Sequence, residues 1–254
     1  KRQIGNLAVL ALRNSRLYAQ AMEAGRTKSE FLNLAAHELR TPLTVMIGYL
    51  AMVDEGSLGR LPLTWAEPVR MLGRKVAELG SLVDDLLVAS RLEAGKLRTR
   101  PQPFDLRAAA QSAAERARAA APDGGRIECV LPSQPVPVHS DPDQVARILD
   151  SLVQNALAYH RGSPEVRIAV QALEARARVV VEDSGRGIPA EHQERIFDRF
   201  YRVEDRDHPS RPGTGLGLYI SRELAIRLNG RLLLDWSEPQ LGSRFVLELP
   251  GTRP

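Results

Sequence analysis

Two apolar stripes separated by a break limit what the first third of this chain can fold into. Apolar residues fall at Leu32, Ala36, Leu39, Leu43, Met46, Leu50 and Val53. The gaps alternate between four and three, the seam of a helix that packs lengthwise against another. The stretch D-E-G-S-L-G-R-L-P, closing at Pro62, interrupts the stripe with residues that turn a chain. A second seam then runs through Val69, Leu72, Val76, Leu79, Val83 and Leu86. A hairpin of two such helices cannot bury both stripes by itself. Either the stripes pack on the downstream domain or a second copy completes a four-helix bundle, and the sustained heptads favour the homodimer.

Upstream of Leu32 the best seam is Leu7, Leu10, Leu17, Ala21 and Ala24, one residue out of phase. The slip falls within residues 25–29. A phase change in a continuous helix alters its winding and could pass a twist along it; a frayed helix end would leave the same pattern.

At R-T-R-P-Q-P-F-D, residues 98–105, the helical pattern stops in a proline-punctuated linker. Beyond it the pattern is mixed. Residues 105–121 read as a helix, and so do 141–159, with Asp141 as cap and Pro142 in the first turn. The stretches 127–131, 166–170, 177–181, 231–235 and 243–249 read as strands. The expected organisation is a signalling helix over 1–26, a helical hairpin over 27–98, a linker over 99–104 and an α/β domain over 105–254.

Composition excludes several classes. Net charge is +4 with no dense Lys/Arg block, so a nucleic-acid partner is not expected, while anionic phosphate ligands fit. The single Cys129 rules out an internal disulfide and a cysteine-rich metal site, and fits a reducing compartment. No stretch reaches 18 apolar residues, so no membrane contact is expected within the chain. It begins at Lys1 rather than Met and is expected to be a cytoplasmic piece of a longer protein, itself soluble or membrane-anchored.

Two glycine clusters mark the second domain. D-S-G-R-G-I-P, residues 183–189, leaves a strand-like run with Gly185 and Gly187 two apart, which lets backbone approach a ligand closely. The carboxylate of Asp183 can accept a hydrogen bond from an exocyclic amine. P-G-T-G-L-G-L-Y-I-S, residues 212–221, has Gly213, Gly215 and Gly217 opening a helix, so bare N–H groups face outward as an anion site. Its spacing matches neither a Rossmann nor a Walker loop. Between the clusters E-R-I-F-D-R-F-Y-R leads into a polar stretch that could form a lid. Arg199, Arg202, Arg206 and Arg211 could reach phosphates from there, or face solvent. Asn155 lies among Leu152, Val153, Ala156 and Leu157; its amide is either capped in the core or faces a ligand. An amide oxygen is a hard ligand suited to Mg²⁺.

The first helix carries H-E-L-R-T-P-L-T, residues 37–44. His37 sits beside seam position Ala36 and should face outward. A neutral imidazole leaves one ring nitrogen with a free lone pair, able to attack phosphorus. Glu38 could accept a proton or orient the ring, and Thr41 lies one turn beyond on the same face. Pro42 should kink the helix.

Together these pieces resemble the sensor histidine kinases of two-component signalling, over residues 27–250. F-L-N-L-A-A-H-E-L-R-T-P-L-T looks like the phospho-acceptor box and L-D-S-L-V-Q-N-A-L-A-Y like the asparagine box. The two glycine clusters, with I-F-D-R-F-Y-R between them, look like the family's two glycine boxes and its phenylalanine box. The resemblance implies an α+β chain: a helical hairpin forming a dimeric four-helix bundle, then an α/β-sandwich ATP-binding domain of the GHKL (Bergerat) kind. It implies that Asn155 holds Mg²⁺, that Asp183 reads the adenine amine, and that Gly213, Thr214, Gly215, Leu216 and Gly217 flank the triphosphate. Tyr159, Gly185, Gly187, Ile188, Arg199 and Arg202 complete the implied ATP site. His37 would take the γ-phosphate of Mg–ATP and pass it to an aspartate of a response regulator receiver domain. Glu38 and Thr41 would serve that chemistry and the hydrolysis of the phosphorylated partner.

Residues 1–24 resemble the last helix of GAF sensor domains, which implies an upstream sensor. Two departures stand out: Ser151 replaces a second asparagine and Ala158 a lysine, so a phosphate contact could fall to Arg161, Arg199 or Arg202. An ATPase clamp of the same nucleotide-binding class is one alternative, with the H-E-L-R-T-P box counting against it; a non-catalytic dimeric scaffold that has lost activity is another, with Ser151 and Ala158 as its support.

Overall fold

The structure is a computed structural model that describes residues 35–36, 38–59, 62–121, 125–160, 162–203 and 214–251. The readings made for residues 1–26, and those for Leu32, His37, Arg161, Arg206, Arg211 and Gly213, lie outside the described residues. The chain divides into two compact units, Lys1–Leu97 and Arg98–Pro254.

In the first unit helix α1 occupies 38–54 and helix α2 Leu63–Glu93, separated by turns over 55–58. Ala36, Leu43, Val76, Val83 and Leu87 form the shared core, with Leu50 packed on it. Each stripe is therefore divided. Ala36, Leu43 and Leu50 recur every seven residues and meet α2, whereas Leu39 and Met46, between them, are exposed. On α2, Val76 and Val83 are buried while Leu72 and Leu79 stay exposed. The Arg40 guanidinium pairs with the Asp84 carboxylate across the helices, with Nε at 3.1 Å. Helix α1 runs on through Pro42. Proline has no N–H for the ladder, and nearby the Thr44 hydroxyl donates to the Arg40 carbonyl at 2.9 Å.

The second unit builds one five-stranded sheet. Its strands are β2 (Arg126–Val130), β4 (Glu165–Ala172), β5 (Arg176–Asp183), β6 (Arg231–Glu238) and β7 (Gly242–Pro250), in the order β2-β4-β5-β7-β6. The β2–β4 pair is parallel and the others antiparallel. Helices α3 (Leu106–Ala120), α4 (Pro142–Ala158) and α6 (Gly217–Arg227) pack against this sheet and one another, and α4 lies beside both α3 and α6. The short α5 spans Ala190–Gln193. Alternation on β4 and β5 buries Val166, Ile168, Val170, Val179 and Val181. Helix α4 starts as its sequence dictates: the Asp141 carboxylate accepts from the N–H groups of Asp143 and Gln144, and Pro142 occupies the first turn.

Residues 99–104, expected to be a linker, differ from that reading. Strand β1 (Gln102–Asp105) pairs antiparallel with β3 (Pro137–Ser140) as a separate two-stranded sheet. Both strands carry proline, which lacks a ladder N–H but is tolerated in so small a ribbon. Elsewhere in the unit, buried Glu248 on β7 is held by the guanidinium groups of Arg231 at 2.7 Å, Arg178 at 3.5 Å and Arg176 at 3.8 Å. The Arg231 hydrogen bond keeps its carboxyl below the usual range. Among the described residues no helix is long and apolar enough to cross a membrane.

Candidate functional site

The first glycine loop leaves the end of β5 at Asp183. Burial pushes the Asp183 carboxyl up to about 6, although the N–H groups of Gly185 and Ser243 favour its charged form. The Gly185 N–H donates to Oδ1 at 2.8 Å. The Arg186 N–H donates to the carbonyl of Tyr159 at 3.1 Å, so the loop is tied to the C-terminal end of α4. Gly187 has φ +65°, and a Cβ there would run into the Glu238 carbonyl. Only glycine satisfies both conditions. The carboxylate is thus desolvated and fixed, with one loop wall made by residues 185–188.

Asn155 is half-buried on α4, one turn before Tyr159, and no other described residue holds its side-chain amide by a hydrogen bond. It is therefore not capped by another described side chain within the core. Tyr159 caps the helix, its N–H donating to the Asn155 carbonyl at 3.0 Å.

The second glycine loop is described from Thr214 onward. The Thr214 hydroxyl accepts from the Leu216 N–H at 3.0 Å, and buried Leu216 anchors the start of α6. Gly215, at φ +70°, lies against the backbone of Phe200; a Cβ there would sit 2.6 Å from the Phe200 carbonyl carbon. The Phe200 N–H in turn donates to the Gly215 carbonyl at 3.0 Å. A Cβ on Gly217 would come within 2.9 Å of the Ser151 hydroxyl. The start of α6 therefore faces α4 closely at Ser151. Arg199 donates to the Tyr219 hydroxyl at 2.6 Å, its guanidinium 4.6 Å from the ring centroid. That puts a fixed positive charge in the first turn of α6, where the dipole already favours anions. Arg202 is exposed.

Asp183, Gly185, Gly187 and Ile188 thus share one loop beside Tyr159, and Thr214, Gly215, Leu216 and Gly217 form a second beside Arg199. Both border α4. In the first unit Glu38 and Thr41 are both exposed on α1.

The sequence reading missed the tip of the β6–β7 hairpin. The Ser237 hydroxyl accepts from the Ile188 N–H at 2.8 Å, and Gln193 donates to the carbonyls of both Ile188 and Ser237. Tyr219 and Ser151 were also unassigned partners. The one available signal was S-E-P-Q-L-G-S between two strands, where Gly242 at φ +124° lets the turn close against Asp183.

Comparison with known proteins identifies two domains. Residues 27–95 match the model of the His Kinase A (phospho-acceptor) domain. Residues 140–253 match that of the histidine kinase-, DNA gyrase B-, and HSP90-like ATPase. The sensor protein kinase WalK of Staphylococcus haemolyticus is 32% identical over 240 residues, covering 91% of this chain and 38% of WalK. The sensor histidine kinase MtrB of Mycolicibacterium paratuberculosis is 35% identical, covering 94% of this chain and 42% of MtrB. The crystal structure of full-length ShkA in complex with AMPPNP superposes with a TM-score of 0.70 at 26% identity, covering 89% of this chain and 46% of ShkA. The solved structure of the mycobacterial sensor histidine kinase MprB gives 0.54 at 26% identity, covering 60% of this chain and 100% of that MprB chain. The chain belongs to the sensor histidine kinases of two-component systems: a phospho-acceptor helical domain followed by an ATPase-type α/β domain. It spans well under half the length of the WalK and MtrB proteins it matches.

Proposed function

We propose that this chain is the kinase portion of a two-component sensor, in which His37 is phosphorylated from ATP and the phosphoryl group passes to an aspartate of a response regulator. The observation that carries the reading is the pairing, across α4, of a desolvated carboxylate at Asp183 with a glycine-opened helix start at Gly217. The first suits an adenine amine, and the second, with Arg199 beside it, a chain of phosphates.

In the step itself a ring nitrogen of neutral His37 attacks the γ-phosphorus in line. The N–P bond forms as the bond to the ADP oxygen breaks, and the electron pair leaves on that oxygen. Positioning and charge stabilisation lower the barrier. Mg²⁺ fits the donor set, an uncommitted amide oxygen near an anion site; Asn155 would hold it, and its chemistry there is neutralisation of phosphate charge. Glu38 and Thr41 would orient His37, or a water that hydrolyses the phosphorylated regulator. The exposed half-stripes on α1 and α2 suit a homodimer that closes a four-helix bundle. The chain would work downstream of a sensor segment, which the resemblance of residues 1–24 to GAF helices suggests.

The test is incubation with γ-labelled ATP and Mg²⁺, comparing the wild type with His37→Gln. Acid-labile, alkali-stable label on the wild type alone is expected. Label released only as inorganic phosphate, with none on protein, would point instead to an ATPase.

A further inference from the structure

We propose that Ser237 is a positioning residue for the adenine loop, and that the β6–β7 hairpin tip thereby sets discrimination between adenine and guanine nucleotides. The inference rests on the ATP-site reading above.

Ser237 is 8% exposed and lies at the end of β6. Its hydroxyl has one proton to give and two lone pairs to receive, and the geometry uses all three. The oxygen accepts from the Ile188 N–H at 2.8 Å, lies 3.0 Å from the Gly242 carbonyl and 2.9 Å from the Ser243 hydroxyl. A carbonyl can only accept, so Ser237 donates to Gly242 and receives from both Ile188 and Ser243. Hydroxyl rotation is thereby removed, and Ile188 is pinned to the sheet.

The grip continues on either side. The Gln193 amide donates to the Ile188 carbonyl at 2.9 Å and to the Ser237 carbonyl at 3.0 Å. The Gln240 N–H donates to the Arg186 carbonyl. At the other end of the loop the Ser243 N–H supports the Asp183 carboxylate, and a Cβ on Gly242 would run into the Asp183 carbonyl. Residues 183–188 are therefore held at both ends by one hairpin tip, and the span between the Asp183 carboxylate and Ile188 is a fixed distance.

A fixed carboxylate selects by what it rejects. Adenine offers an amine donor to it, whereas guanine carries a carbonyl oxygen at the same ring position, and two acceptors facing each other in a desolvated site repel. The rejection holds only while the carboxylate cannot swing aside. Loosening the loop relaxes this penalty, so selectivity should fall further than affinity for the nucleotide as a class.

The experiment uses the full chain. Amide hydrogen exchange over 185–188 is measured without nucleotide, and ATP and GTP affinities are measured for wild type, Ser237→Ala and Ser237→Thr. In Ser237→Ala we expect faster exchange at Ile188 and an ATP-over-GTP ratio compressed roughly tenfold, the worth of one buried hydrogen bond. Ser237→Thr, which keeps the hydroxyl, should restore the ratio. Should Ser237→Ala not fold, Gln193→Leu removes the other half of the grip and carries the same expectation. Unchanged exchange and an unchanged ratio would overturn the inference alone. So would parallel loss of ATP and GTP binding, which marks a role in folding only. A wild type that binds no adenine nucleotide would remove the site reading itself, and this inference with it.

Discussion

In the sheet unit Leu106, Ile148 and Leu149 are 0% exposed, whereas in the helical unit Leu72 and Leu79 are 55% and 46% exposed, although all five belong to equally regular apolar patterns. The difference lies in what each pattern can reach within one chain. The stripes of α3, α4 and α6 meet a sheet wide enough to cover them. The stripes of α1 and α2 are each two positions wide, and an antiparallel neighbour covers one position of the two. At about 25 cal/mol per Å² of apolar surface, the uncovered half is a standing drive to association. One unit thus covers its own apolar pattern, while the other leaves half of each stripe open, which is the surface that the proposed homodimer would use.

Three changes test that contrast. The largest effect is expected from Leu79→Asp, which puts a charge on the exposed seam. Analytical ultracentrifugation should move from dimer to monomer while the sheet unit keeps its thermal transition; persistence of the dimer would show that the seam is not the interface. Next is Leu149→Ala, buried between α4 and the sheet. It should cost the sheet unit about 2–5 kcal/mol, as large-to-small core changes do, with no change in association state. A shift in both would mean that the two units are coupled.

The third concerns Asp183, a half-buried carboxyl of the sheet unit. Folding raises the Asp183 pKa from 3.8 to about 6, with burial the main cause. Its contribution to stability is therefore fully present below about pH 4 and lost as pH rises through about 6, on the order of 3 kcal/mol by pH 7. Relative to Asp183→Asn, the wild type should gain stability as pH falls from 7.5 to 5. Over the same range its affinity for ATP should fall, because the protonated carboxyl no longer offers a full acceptor. A difference that does not vary with pH would contradict the burial of this group.

Much of this could be read beforehand, and the reasons are particular. The helix at Asp141 announces itself by cap, proline and apolar face. The two glycine clusters stand out because positive φ leaves few alternatives. What could not be read is whatever depends on partners distant in sequence. Strands β1 and β3 are short, contain proline and exist only as each other's neighbours. The division of each heptad stripe into covered and uncovered halves needs the facing helix. Ser237 looks like any strand serine until Ile188, Gly242 and Ser243 surround it. Asn155 stayed ambiguous between core and ligand because its neighbours in sequence are apolar, while its exposure is decided by the packing of α4.

The register of β5 against β7 sets Asp183 opposite Ser243, and this fixes when the site can come into being. During synthesis the loop at 183–188 leaves the ribosome long before the hairpin that grips it. Since domains form as units and non-local strand pairing is slow, a growing chain carries both glycine clusters before the loop at 183–188 can be held in place. On the proposed function, competence to bind nucleotide should arrive late and all at once, when β7 enters the sheet between β5 and β6.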